Sequence, residues 1–75
     1  MKTRLENLID IDGHVIISEY SFVSTFRKDK IVQVDDLGEV ITQMCKVDTP
    51  GYLLMGFQTG TISLFKLAES KLTRV

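Results

Sequence analysis

Asp10-Ile11-Asp12-Gly13-His14 sets two carboxylates and an imidazole within five residues. Calcium loops open with such alternating acids because a hard cation wants several oxygens, but the later oxygen ligands and the closing glutamate do not follow here. Asp-Gly is also a strong hairpin-turn dipeptide. We therefore read the segment as a turn whose acids bond backbone amides and whose histidine faces solvent. Cys45 is the one cysteine, with His14 as a candidate base for a thiolate nucleophile. It lies amid Ile41, Met44 and Val47, where a thiol serves as a small hydrophobe, so burial and inertness are expected. No glycine-rich phosphate loop, zinc-ligand spacing or nucleophile elbow occurs. The reading is a non-enzyme with no catalytic residue, no cofactor and no metal.

Aromatic rings beside cations make the other constellation. Tyr20, Phe22 and Phe26 precede Arg27, Lys28 and Lys30, and such groups bind single strands by stacking bases while cations meet phosphates. Asp29, Asp35 and Asp36 oppose those cations, and the chain has a net charge of −1 and a pI near 5.7. Nucleic acid is thus a possible partner but not the favoured one.

These side chains must be held by strands. Asp12-Gly13 turns Leu5–Ile11, which fits a strand or a helix turn, into a long apolar stretch from His14 to Phe26. Alternation puts Ile16, Tyr20, Phe22 and Phe26 on one face and Val15, Ile17 and Val23 on the other. The stretch is too long for an ordinary strand, so a bend or bulge is expected near Ser18–Ser21. Lys28-Asp29 leads into Ile31–Val34, and Asp35-Asp36-Leu37-Gly38 forms the next turn. Glu39–Val47 and Tyr52–Gln58 flank a turn in which Pro50 presets φ and Gly51 accepts φ > 0. Thr59-Gly60 connects to Thr61–Leu67, and Ala68–Lys71 leads to a final short strand at Leu72–Val75. Helical periodicity is weak, with traces only at residues 2–9 and 67–72. The expectation is one all-β domain over residues 1–75: an antiparallel meander of six to seven short strands, closing as a small barrel or left as an open sheet that self-associates.

Size argues for association. The chain has 75 residues, of which 44% are hydrophobic and 25% charged. So short a chain has much surface for its volume, and neither a disulfide nor a metal staples it. It must expose apolar material or bury it against another copy. A lone cysteine fits a reducing cytoplasmic location, and no apolar run approaches the roughly 20 residues of a membrane span.

Two turn-then-strand units, Asp12–Ile17 and Thr59–Leu64, stand 47 residues apart, a spacing in the range of propeller blades. Leu53–Phe65 resembles the central hairpin of a β-propeller blade. The order from Leu8 to Val75, carried by Ile17–Tyr20, Lys28–Ile31, Gly38–Ile41 and the closing hairpin, resembles the β-pinwheel blades of the DNA gyrase A subunit's carboxy-terminal domain. Arg27-Lys28-Asp29-Lys30 stands where that family has its glycine- and arginine-rich box, so DNA wrapping is not carried over. The chain holds fewer than two blades on this reading, and the resemblance implies that several copies complete one another. The function expected is a non-catalytic protein-interaction or regulatory module that pairs with itself, and with another protein, through strand edges and an apolar sheet face. Phe22, Phe26, Phe57 and Phe65 are its candidate anchors. The alternative is a small nucleic-acid-binding β-barrel using Tyr20, Arg27, Lys28 and Lys30.

Overall fold

Within each half of the chain, short connections join consecutive strands, and this dictates the architecture. The computed structural model describes residues 7–75 and contains eight strands: β1 (Leu8–Ile11), β2 (His14–Glu19), β3 (Phe22–Arg27), β4 (Lys30–Asp36), β5 (Ile41–Lys46), β6 (Tyr52–Phe57), β7 (Ile62–Ala68) and β8 (Lys71–Arg74). They form two four-stranded antiparallel meanders, β1-β2-β3-β4 and β5-β6-β7-β8. Two-residue turns join β1 to β2, β3 to β4 and β7 to β8, and both central residues of each have positive φ: Asp12-Gly13, Lys28-Asp29 and Glu69-Ser70. This is the type I′ pattern, whose twist matches that of the flanking strands. Gly51, at φ +82, follows Pro50, and the Tyr52 amide donates to the Thr49 carbonyl at 3.2 Å, as a type II turn requires.

The long stretch from His14 to Phe26 is two strands. Tyr20 at φ 56 starts a hairpin where a bend or bulge was expected, and Glu19 pairs with Phe22. That register flips the face of every later residue. Ile16 is buried while Phe22 and Tyr20 are exposed, so the single face predicted for Ile16, Tyr20, Phe22 and Phe26 does not exist. The strand count is eight instead of six to seven, the sheets do not close into a barrel, and residues 67–72 make a hairpin without helix. Of the segment Leu5–Ile11, strand runs over Leu8–Ile11; the trace of helix at residues 2–9 falls largely outside the described residues. The two units proposed as a repeat occupy different places, one entering the second strand of its sheet and the other the third.

One core joins the sheets. Ile9, Ile11, Ile16 and Val23 come from the first, and Ile41, Met44, Leu53, Met55, Phe57, Phe65 and Leu67 from the second. The sheets approach closest where β1 lies against β5. The connection between them is pinned to the β2–β3 turn: the Leu37 amide donates to the Ser21 carbonyl and the Ile41 amide to the Tyr20 carbonyl, each at 2.8 Å. The Arg74 guanidinium lies 5.3 Å from the Phe57 ring centre and 5.2 Å from that of Phe65, with Glu39 3.7 Å away, and so closes the outer end of the second sheet.

Two buried hydroxyls of this core, those of Ser18 and Thr25, lack a hydrogen-bond partner among the described residues, and Thr25, fully buried, is the more deeply buried. An unpaired buried hydroxyl costs about 1–3 kcal/mol, which a methyl group of the same shape does not. Thr25→Val is therefore expected to stabilise the domain by about 1 kcal/mol, raising the urea midpoint at unchanged slope. A lowered midpoint would mean that the hydroxyl is bonded.

Candidate interaction faces

Backbone hydrogen bonding fixes which way each side chain points. The Ser18 amide bonds the Asn7 carbonyl across to the strand before it, and the Tyr52 carbonyl accepts from Val47 on the side of β5. Even-numbered residues of β2 and of β6 thus turn their backbone groups toward the preceding strand. Chirality then places their side chains on the same face of each meander. We call this face the front. In the first sheet it carries Ile9, Ile16, Ser18, Val23 and Thr25, all buried against the second sheet. In the second it carries Cys45, Leu54, Ile62 and Leu64, which point away from the first sheet. The sheets therefore stack front to back.

Among the described residues nothing covers the back of sheet one. Register rows assign it Leu8-Ile17-Ser24-Val34, Asp10-Val15-Phe26-Ile31 and Glu19-Phe22-Asp36. Leu8, Phe22, Ile31 and Val34 are 50%, 48%, 57% and 53% exposed. The front of sheet two is the other uncovered face, where Ile62 is 65% exposed.

The candidate anchors divide between core and surface. Phe57 and Phe65 are core side chains, their ring centres 6.5 Å apart, and they offer nothing to a partner. Phe22 and Phe26 lie on the open back of sheet one. Cys45 is exposed, contrary to expectation, because strand alternation sends Met44 into the core and Cys45 outward beside Leu54. Its thiol donates to the Lys46 carbonyl at 3.3 Å. His14 stands on the front of sheet one, directed at sheet two, whereas Cys45 stands on the outer front of sheet two, so the second sheet separates them.

His14 is half-buried instead of solvent-facing. Nδ1 meets the Asp12 carbonyl oxygen at 2.9 Å and Nε2 meets the Ser70 hydroxyl at 3.0 Å. Only Nδ1 can donate to a carbonyl, so in the neutral ring Nε2 accepts from Ser70 and the histidine ties β2 to the β7–β8 turn. Asp10 lies on the back of sheet one, away from that ring. Among the described residues no three acids, histidines or cysteines gather as metal ligands. A shallow cleft of about 190 Å³ lies between the β1–β2 and β5–β6 turns, lined by Asp12, Lys46, Pro50 and Tyr52 among others. This is smaller than the usual ligand pocket of roughly 300–1,000 Å³.

Tyr20 and the basic group are also apart. Tyr20 stands in the turn before β3, and Arg27, Lys28 and Lys30 surround the turn after it. A six-residue strand separates them by roughly 20 Å. Among the described residues no helix is long and apolar enough to cross a membrane. Comparisons with protein-family models, with curated proteins and with solved structures found no match. An oligonucleotide titration at low salt is expected to show no dependence on Tyr20. A joint stacking-and-phosphate site would lose about 1–3 kcal/mol on Tyr20→Ala.

Proposed function

We propose that this chain is a non-catalytic interaction module that self-associates through its open sheet faces, the two meanders serving as a pair of propeller-type blades. The observation that carries the reading is the row of half-exposed apolar side chains, Leu8, Phe22, Ile31 and Val34, on a sheet back that nothing among the described residues covers. Contiguous apolar surface of this kind marks interaction sites. Each such side chain contributes about 1.5–3 kcal/mol when taken fully out of water. Several together offset the cost of association, estimated at about 4–15 kcal/mol.

The faces are better suited to this than the strand edges. On the outer edge, β4 has a bulge, Val32 being the extra residue, and carries Lys30, Asp35 and Asp36. Bulges and charges blunt edge pairing. The opposite edge strand of that sheet, β1, lies against β5.

Light scattering across a dilution series tests the proposal. A mass that is a multiple of 8.5 kDa at micromolar concentration, falling to the monomer for Phe22→Glu/Val34→Glu, is the expected outcome. A folded wild-type monomer at every concentration would sink it.

A further inference from the structure

The register rows of the two sheets superpose over the first three strands of each, and this names the partner of each open face. Along β2 and β3, Val15 opposes Phe26 and Ile17 opposes Ser24; along β6 and β7, Leu53 opposes Phe65 and Met55 opposes Ser63. Leu8 opposes Ile17 as Met44 opposes Met55. Over its first three strands the open back of sheet one thus repeats the pairing of the back of sheet two, which is buried within the chain; the fourth strands differ, Ile31 falling where sheet two has Arg74. The fronts match likewise. Ile16 and Thr25 form one row, and Leu54 and Leu64 form its counterpart. Ser18 and Val23 correspond to Gly56 and Ile62. The front of sheet one is buried and that of sheet two is open.

From this, and resting on the self-association proposed above, we infer that the partner is a second copy docked head to tail: the front of its sheet two covers the back of sheet one. The contact between copies repeats the contact between sheets within one copy. Such an interface is heterologous, and it ends only by closing a ring. Propellers close at about four to eight blades, so two sheets per copy correspond to roughly two to four copies.

Charge selects the same pairing. The charged strand positions on the back of sheet one are Asp10, Glu19 and Asp36, with no cation among the described residues. Those on the front of sheet two are Lys66 and Lys71, with no acid. Back against back would oppose acids and front against front would oppose lysines, whereas front against back pairs opposite signs. The geometry also locates Cys45. It stands to Leu8 of the next copy as Ile9 stands to Met44 within the chain, where β1 lies against β5.

Complementation tests the arrangement. A back variant, Phe22→Glu/Val34→Glu, and a front variant, Ile62→Glu/Leu64→Glu, are each expected to be monomeric alone. Mixed in equal amounts they retain one intact front and one intact back, and should give a 1:1 dimer of twice the 8.5 kDa chain that grows no further. Circular dichroism checks that both variants keep the β spectrum. Leu8→Cys in the otherwise native chain provides a second measurement that perturbs neither face with charge. Diamide oxidation should join the introduced thiol of one copy to Cys45 of the next, giving a ladder of covalent multimers on a denaturing gel. A wild-type monomer would remove the self-association reading itself. A wild-type oligomer whose front variant still dimerises alone, or in which Leu8→Cys forms no cross-link beyond Cys45–Cys45, would overturn the head-to-tail arrangement while leaving self-association standing.

Discussion

Front-to-back stacking of two meanders, each apolar on both faces, is the constraint from which the rest of the structure follows. A two-layer arrangement with both fronts inside would have left the two backs outside, where ordinary sandwiches carry polar side chains. Here Ile16 faces in and its counterpart Leu54 faces out. Whatever stabilisation the core supplies, the stack therefore ends in one apolar back and one apolar front. A chain of 75 residues has little surplus stability with which to tolerate such exposed surface.

Local structure is organised to hold that stack. Positive φ at non-glycine residues is uncommon and costs about 1–2 kcal/mol per residue. Tyr20, Lys28, Asp29, Glu69 and Ser70 all adopt it. The gain is that the hairpins they close have two-residue turns, which helps four strands fit in each half of a small chain. The Tyr20 turn has a second role. Its carbonyl and that of Ser21 receive the amides of Ile41 and Leu37, so the link that enters the second sheet is fixed by the first. His14 bonded to Ser70 ties the sheets again at the β7–β8 turn.

Much of this is legible in the sequence. Asp12-Gly13, Lys28-Asp29 and Pro50-Gly51 announce their turns by residue type, and the all-β class follows from strand-like runs between them. Parity is what the sequence hides. Nothing in Glu19-Tyr20-Ser21-Phe22 is glycine or proline, so alternation reads straight through a hairpin in which Glu19 pairs with Phe22, exchanging the faces of all later residues. Cys45 is misplaced for a related reason. Apolar neighbours along the chain say little about burial when alternate side chains leave on opposite sides, and the bulge at Thr42 shifts the phase again. Turn chemistry matches Asp12–Ile17 to Thr59–Leu64, which enter different strands of their sheets. The correspondence between the sheets resides in cross-strand pairs, which a linear sequence does not display.

The same pairs explain why the candidate chemistry disperses while the candidate assembly surface gathers. Catalytic or metal sites need side chains converging on one point, and an antiparallel meander separates residues that are close along the chain. Asp10 and His14 leave on opposite faces of their sheet, and Tyr20 and Lys28 sit at opposite ends of one strand. Apolar residues spaced by two along successive strands, in contrast, are collected by the ladder into continuous rows such as Val15-Phe26-Ile31. In this meander the ladder thus gathers apolar rows on a face while the candidate reactive groups of the described residues are dispersed.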